Sequence, residues 1–312
     1  MKRTRFITDG AALLAVYAVL LLVSMYVPIL SAVVTFALPL PFILFMVRYK
    51  FSSTCMFFVS ALFITIIVSQ PISLVKTVMF GLIGIVLGYM YKKEKKPVEI
   101  LLVGALAYLI SFVMIYVGSI KFFNIDLMKQ MQDMFNGFIG KGEQMMNAAG
   151  QPLTKEKKEL LGQFNDLLRI LLPSLLAMVA VMYSWFTLLM TGNVLKRLKH
   201  NVTPFPQFRN MQFPKSIVWY YVIFILLSTF MEVESTSYLH MVFSNLYAAF
   251  SILLVFQGFS FIAFLAYEKG YTKAVLIITF IVCMFIPMLF PLVTILGIID
   301  LGISLRSKIQ SK

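Results

Sequence analysis

Ala11-Ala12-Leu13-Leu14-Ala15-Val16-Tyr17-Ala18-Val19-Leu20-Leu21-Leu22-Val23-Ser24-Met25-Tyr26-Val27 runs for 17 residues without a charge, behind Lys2, Arg3 and Arg5. As a helix this stretch is about 26 Å long, close to the ~30 Å of hydrocarbon in a bilayer. A basic segment before an apolar run also opens a secretory signal peptide. Here the run continues to Val27 with no small-x-small cleavage site after it, so it is expected to remain as a first span.

The same pattern recurs down the chain. Apolar runs at 30–47, 51–69, 72–91, 98–120, 168–191, 216–231, 239–266, 273–289 and 291–305 bring the expected count to ten spans, or eight with one pair re-entrant. The second run is broken by Pro39 and Pro41, and the last two are short. Composition agrees: 60% of the 312 residues are hydrophobic and 13% are charged, with a mean hydropathy of +0.90. A soluble domain carries roughly 25% charged residues, so lipid must serve as solvent for much of this surface. Cys55 and Cys283 both lie inside apolar runs and read as small buried hydrophobes.

The net charge of +14 does not point to nucleic acid, because the cations sit in short clusters between the apolar runs. With the N-terminus placed in the cytoplasm, the inner turns hold 19 of the 27 cations, among them Arg48, Lys50, Lys92, Lys93, Lys95, Lys96, Lys196, Arg197, Lys199, Lys269 and Arg306. Eight remain outside, which satisfies the positive-inside rule. The C-terminus then also lies inside, provided that Pro287 and Pro291 turn the last stretch into a hairpin with Lys273 and Arg306 on one side.

Two segments stand apart. Residues 121–167 form a long outer segment in which Met128, Met131, Phe135 and Phe138 recur at helical spacing among Lys129, Gln132, Asp133 and Asn136. That pattern predicts an amphipathic helix on the outer surface or over the mouth of the bundle. Gly137, Gly140, Gly142 and Gly150-Gln151-Pro152 are expected to break the chain. A second amphipathic helix with Leu160, Leu161, Phe164, Leu167 and Leu168 on one face should then run into the sixth span. Residues 193–215 form a basic inner linker kept extended by Pro204, Pro206 and Pro214. It divides a six-span block, 1–192, from a four-span block, 216–312.

Chemistry-bearing residues are few. Ala11 and Ala15 share one helix face, where small side chains let another helix come close. Packing within the chain and docking of a partner's helix both use such a face. Gly84 and Gly88 repeat the spacing, with internal packing as the plainer reading. Lys76 lies within the fourth span, five residues after Pro71. It either reaches to the outer interface or faces a cavity with Gln70 and Ser73 and meets an anionic ligand. Glu232, Glu234 and His240 cluster at an outer turn without a recognised zinc spacing. Asn245 and Gln257 read as inter-helix hydrogen-bonding groups, and Asp300 as a local partner of the inner interface. Gly137-Phe138-Ile139-Gly140-Lys141 lacks the phosphate-loop spacing. No metalloprotease motif and no Ser–His–Asp pattern appears, so no enzyme activity, cofactor or metal is expected, and an active transport step would need a partner's ATPase or an ion gradient.

The N-terminal block carries a further likeness. It opens with basic residues and the Ala-rich first span, turns at Tyr26-Val27-Pro28, continues through Leu38-Pro39-Leu40-Pro41-Phe42 and Ser69-Gln70-Pro71, and reaches a Gly-rich fourth span ending in Lys92-Lys93. This block, residues 1–192, resembles the substrate-binding S-components of energy-coupling factor transporters. The whole chain resembles the YybS-like family of predicted bacterial membrane proteins. The S-component resemblance implies a six-helix bundle that binds a vitamin or metal ion at its outer side. It also implies that Ala11 and Ala15 dock on a transmembrane coupling protein driven by two cytosolic ATPases. A ligand would then enter between spans four to six, under 121–167, with Gln70, Ser73, Lys76, Tyr108, Tyr116, Asn124 and Tyr183 as candidate contacts. The rival expectation is a membrane scaffold for envelope or signalling partners.

Overall fold

A computed structural model describes residues 2–148, 155–200, 203–231, 237–272, 274–303 and 305–310. Among them there is no strand. The helices are α1 (Lys2–Tyr26), α2 (Pro28–Thr35), α3 (Leu40–Arg48), α4 (Phe51–Val68), α5 (Ser73–Lys92), α6 (Pro97–Phe123) and α7 (Leu127–Ala148). After them come α8 (Lys155–Arg197), α9 (Ser216–Phe230), α10 (Tyr238–Glu268), α11 (Ala274–Phe285), α12 (Phe290–Ile303) and α13 (Leu305–Gln310).

Seven stretches of these helices are long and apolar enough to cross a membrane, with α2 and α3 acting as one: Thr4–Tyr26, Pro28–Arg48, Phe51–Val68, Ser73–Lys92, Pro97–Phe122, Leu167–Arg197 and Tyr238–Glu268. Counting the bent pair α11–α12 as one span makes eight, which agrees with the eight-span alternative and falls short of ten. α9 has 15 residues, about 22 Å of helix, which falls short of the hydrocarbon thickness. α11 and α12 are bent by 118° at Pro287, so the proline turn read from the sequence is present, but its two arms are too short to be two full spans.

The chain forms two compact units. The first comprises Met1–Pro152 and Leu175–Phe205, the second Leu153–Ser174 and Pro206–Lys312. The division therefore differs from one placed at residue 192, since the first part of α8 belongs with the C-terminal helices. α8 is a single helix of 43 residues, as expected from an amphipathic segment that continues into a span.

In the first unit Tyr17, Leu21, Leu38, Phe42, Phe45, Phe57, Ile83, Leu87 and Tyr108 form the core. The glycines of α5 allow α3 to lie against it. A Cβ on Gly84 would stand 2.6 Å from Phe42 Cβ and 2.7 Å from the Pro39 carbonyl, and one on Gly88 2.7 Å from Met46 Cβ. Small-xxx-small spacing here serves internal packing. Between α2 and α3 the backbone tightens into i→i−3 bonds, Ala37 N–H to Val34 O at 2.9 Å among them. The Phe36 carbonyl in that break accepts from Thr187 Oγ1 of α8 at 3.3 Å. In lipid an unserved carbonyl costs several kcal/mol, so the prolines need a hydroxyl from a neighbouring helix.

α7 corrects a second expectation. It passes through Gly137, Gly140 and Gly142 without a break. An isolated glycine costs a helix about 1 kcal/mol, which weakens it but does not end it. No residue of α7 is buried. Met131, Met134, Phe138 and Met145 lie on one exposed face, with Met134 and Phe138 each 77% accessible.

The second unit packs α12 on α10 through two facing glycines. A Cβ on Gly258 would collide with the Val293 carbonyl, and one on Gly297 with the Leu254 carbonyl. Asn245 of α10 repairs α8 at Pro173. Its Nδ2 donates to Ile170 O at 2.7 Å and its Oδ1 accepts from Ser174 N–H at 2.9 Å. Ile170 O and Ser174 N–H are an i, i+4 pair, so the amide takes the place of the missing helical bond.

Candidate functional site

The sequence nominates the end of the first unit that carries the Ser69–Ile72 turn. Pro71 presets that turn, and Ser73 N–H closes it on Gln70 O at 2.9 Å. Gln70 is exposed there. Ser73 is buried, shares a 2.8 Å hydrogen bond with Ser69, and donates to Met25 Sδ at 2.9 Å. One turn deeper, Thr77 receives the Tyr17 hydroxyl at 2.7 Å and meets Thr65 Oγ1 at 2.8 Å. This seam joins α1, α4 and α5 with neutral groups only. Lys76 lies beside it, half-buried, and no carboxylate pairs with it among the described residues.

Tyr108 and Tyr183 come together with rings 5.5 Å apart, in a cluster with Phe112 and Phe36. Tyr108 is buried and its hydroxyl meets Thr187 at 2.8 Å, so both it and Ser73 have their polar atoms engaged inside the bundle. Phe80 of α5 lies 6.3 Å from Tyr108. α5 and α6 are joined by the short 93–96 turn, so their antiparallel register sets Lys76 about level with Phe112. Tyr116, half-buried, is two turns beyond Tyr108 on α6, and Asn124 ends α6 in the left-handed region at φ 53°. The candidate contacts thus separate into an aromatic cluster (Tyr108, Tyr183), the half-buried Lys76 and Tyr116, the buried Ser73, and two exposed turn residues, Gln70 and Asn124. Phe36, Phe112 and Thr187 were not foreseen. No local pattern marks them, since their contacts join segments more than 70 residues apart in several cases.

The opposite end of this unit gathers the basic turns. Arg48 pairs with Asp9 at 3.2 Å, and Tyr49 donates to Asp9 at 2.9 Å. Lys92 donates to the Tyr49 carbonyl. Burial, then the hydrogen bond to the Asp9 carboxylate, raises the Tyr49 hydroxyl above its ordinary value. It therefore stays a donor below the usual tyrosine range, and its contribution is lost only as pH rises through the raised value.

α1 presents two different faces. Tyr17, Leu21 and Ser24 are buried in the unit, while Ala11, Ala12 and Ala15 are exposed along with Val19 at 59%. Within the first unit the described residues leave the alanine face open.

In the second unit the polar residues named by the sequence are engaged with one another. Asp300 and Arg306 are buried, with Arg306 Nη2 2.8 Å from Asp300 Oδ2. Gln257 donates to Asp300 at 2.5 Å and accepts from Phe213 N–H at 3.1 Å. Arg306 also reaches Arg209 O at 2.6 Å and Ser260 Oγ at 3.1 Å. Each of its three guanidinium nitrogens is thus satisfied, which makes this cluster a clamp on the linker 206–214 and leaves no free group for a ligand. His240 sits in the first turn of α10, whose cap Ser237 accepts from its amide at 3.2 Å. Glu232 and Glu234 lie outside the described residues. No group of three His, Cys, Asp or Glu side chains is placed to hold a metal among the described residues.

Helices of spanning length, proline breaks served by neighbouring side chains and a lipid-sized apolar exterior define a polytopic helical membrane protein. The chain belongs to the family described as "Predicted membrane protein (DUF2232)", whose model matches residues 15–301. It is 30% identical over 311 residues to the uncharacterized protein YybS of Bacillus subtilis (strain 168), an alignment covering 99% of this chain and 100% of that protein. No solved structure matches the chain.

Proposed function

We propose that this multi-pass membrane protein is a substrate-recognising subunit of a small-molecule uptake system, working through a transmembrane partner that couples it to cytosolic ATPases. The observation that carries the reading is the open alanine face of α1, with Ala11 and Ala15 both exposed. Many other exposed apolar positions hold large side chains suited to lipid, such as Ile67 at 81% and Phe63 at 63%, and the other exposed alanines, such as Ala32 and Ala249, have no second exposed alanine four residues away. A row of alanines gains little from lipid contact but lets a second helix approach to close packing distance. The S-component resemblance gives such a face a coupling role. The ligand contacts in this reading are Lys76, Tyr116 and Tyr183, with Gln70 and Asn124 at the rim and Ser73 and Tyr108 as positioning groups. An unpaired half-buried ammonium suits an anionic vitamin better than a metal cation.

The test has two arms. A ligand that binds only the folded protein raises its melting temperature by mass action, so a vitamin panel should include a compound that stabilises the wild type and not the Lys76→Met variant. Ala11→Leu with Ala15→Leu should leave ligand stabilisation intact and abolish co-purification of the membrane partner. A panel without any stabilising compound, together with partner capture that the alanine substitutions leave unchanged, would favour the scaffold reading. The exposed Met and Phe face of α7 supplies that reading with its own surface.

A further inference from the structure

Within the first unit, at the end that carries the basic turns, a cleft of about 120 Å³ opens between the α5–α6 turn, the last turns of α8 and residues 203–205. Its floor is apolar, formed by Tyr91, Pro97, Ile100, Leu188 and Phe205, and its rim carries Lys95, Lys196, Asn193 and Thr203 together with one carboxylate, Glu94. The turns around it, 92–99 and 196–200, hold seven cations (Lys92, Lys93, Lys95, Lys96, Lys196, Arg197, Lys199) against Glu94 and Glu99. The C-terminal ends of α5 and α8 each bring about half a negative charge and the N-terminal end of α6 about half a positive one, which leaves the excess strongly positive. Among the described residues Lys95 is held by an exposed contact to Glu99 at 3.7 Å, weak enough to exchange. Lys196 has no carboxylate partner among the described residues.

The local backbone is shaped to hold these groups. α5 and α8 both close through a left-handed residue that is not glycine, Glu94 at φ 51° and Lys199 at φ 59°. Lys95 N–H returns to Met90 O at 3.2 Å and His200 N–H to Leu195 O at 3.0 Å, the bond pattern that normally selects glycine. Glu94 lines the cleft and Lys199 follows the lining residue Lys196 by three positions, and strain of this kind gathers where a fold holds a site.

We propose that the cleft binds the phosphate of an anionic phospholipid, with Lys95 and Lys196 on the phosphate and the glycerol end on the Tyr91–Ile100–Leu188 floor. The spans on either side begin at Pro97 and end at Lys92 and Arg197, so the cleft lies at the depth where headgroups meet hydrocarbon. A cationic rim above an apolar floor matches an amphiphile, and basic pockets between spans are recurrent lipid sites.

The test uses the full-length protein in a neutral detergent. Phosphatidylglycerol, phosphatidylcholine, glycerol phosphate and inorganic phosphate are titrated separately, with binding read by native mass spectrometry and by melting temperature. Phosphatidylglycerol should bind and stabilise, and Lys95→Ala with Lys196→Ala should weaken it at least about tenfold, as expected for loss of two charge-assisted contacts. Lys129→Ala with Lys141→Ala, which removes two cations of α7, should leave it unchanged. The unliganded melting temperature shows that each variant folds. Equal loss in the α7 variant, full retention in the Lys95/Lys196 variant, or equal binding of phosphatidylcholine would overturn the site. Glycerol phosphate or inorganic phosphate reproducing the whole effect would overturn the lipid assignment.

Discussion

The two units solve the burial of polar groups differently. In the first, the buried polar side chains among the described residues, tyrosines apart, are serine and threonine: Ser24, Thr54, Thr65, Ser73, Thr77, Ser184, Thr187 and Thr191. In the second they include the ion pair Asp300–Arg306 with Gln257 and Ser260. A seam of hydroxyls leaves helices free to shift by small rotamer changes, each bond being worth about 1 kcal/mol. A buried ion pair fixes one arrangement, because separating the partners strands a charge. The difference lies in what a broken contact costs: one hydroxyl hydrogen bond in the first unit, a stranded charge in the second.

The largest expected effect tests the ion-paired side. Asp300→Asn should destabilise the protein by roughly 3–5 kcal/mol, the cost of leaving Arg306 uncompensated. Asp300→Leu with Arg306→Leu should recover much of that, as measured by thermal unfolding in detergent. A double variant no better than the single one would mean that the clamp on 206–214, and not charge burial, dominates. Next comes Gly84→Ala in the first unit. Its Cβ meets the Pro39 carbonyl and Phe42, so a loss of about 1–3 kcal/mol is expected. Asn245→Leu should cost about 1–2 kcal/mol by reopening α8 at Pro173, and Thr187→Val, which leaves Phe36 O and the Tyr108 hydroxyl without this partner, should cost at least as much. The smallest effect runs the other way. Glu94→Gly should stabilise by up to about 1 kcal/mol, since glycine takes the left-handed conformation without strain, while weakening any ligand that depends on the orientation of Lys95.

Much of this architecture was legible because it follows from one-dimensional patterns. Apolar runs between basic turns locate the spans, Pro39 and Pro41 locate the break after α2, and Pro287 locates the bend. The count of ten, unlike the alternative of eight, overshot where length matters more than composition: Ser216–Phe230 and the arms of the Pro287 turn are apolar but short. The glycines of 137–142 misled because a helix tolerates them singly when nothing packs against them. Gly84 and Ala15 share the same spacing, yet one is filled by α3 and the other is open. Which occurs depends on the helix that happens to lie opposite, and spacing carries no record of it. Likewise, Asn245 is identifiable as a buried amide, but its pairing with the Pro173 break joins positions more than 70 residues apart. The basic cleft at Lys95 and Lys196 was visible only as two separate charge clusters.

Site-specific photo-crosslinking in the cell at Ala15 tests the docking claim most directly, with Ile66 as a control exposed on α4. A discrete adduct to one membrane protein from Ala15, absent from Ile66, is the predicted result. The same diffuse lipid-only labelling from both positions would contradict it.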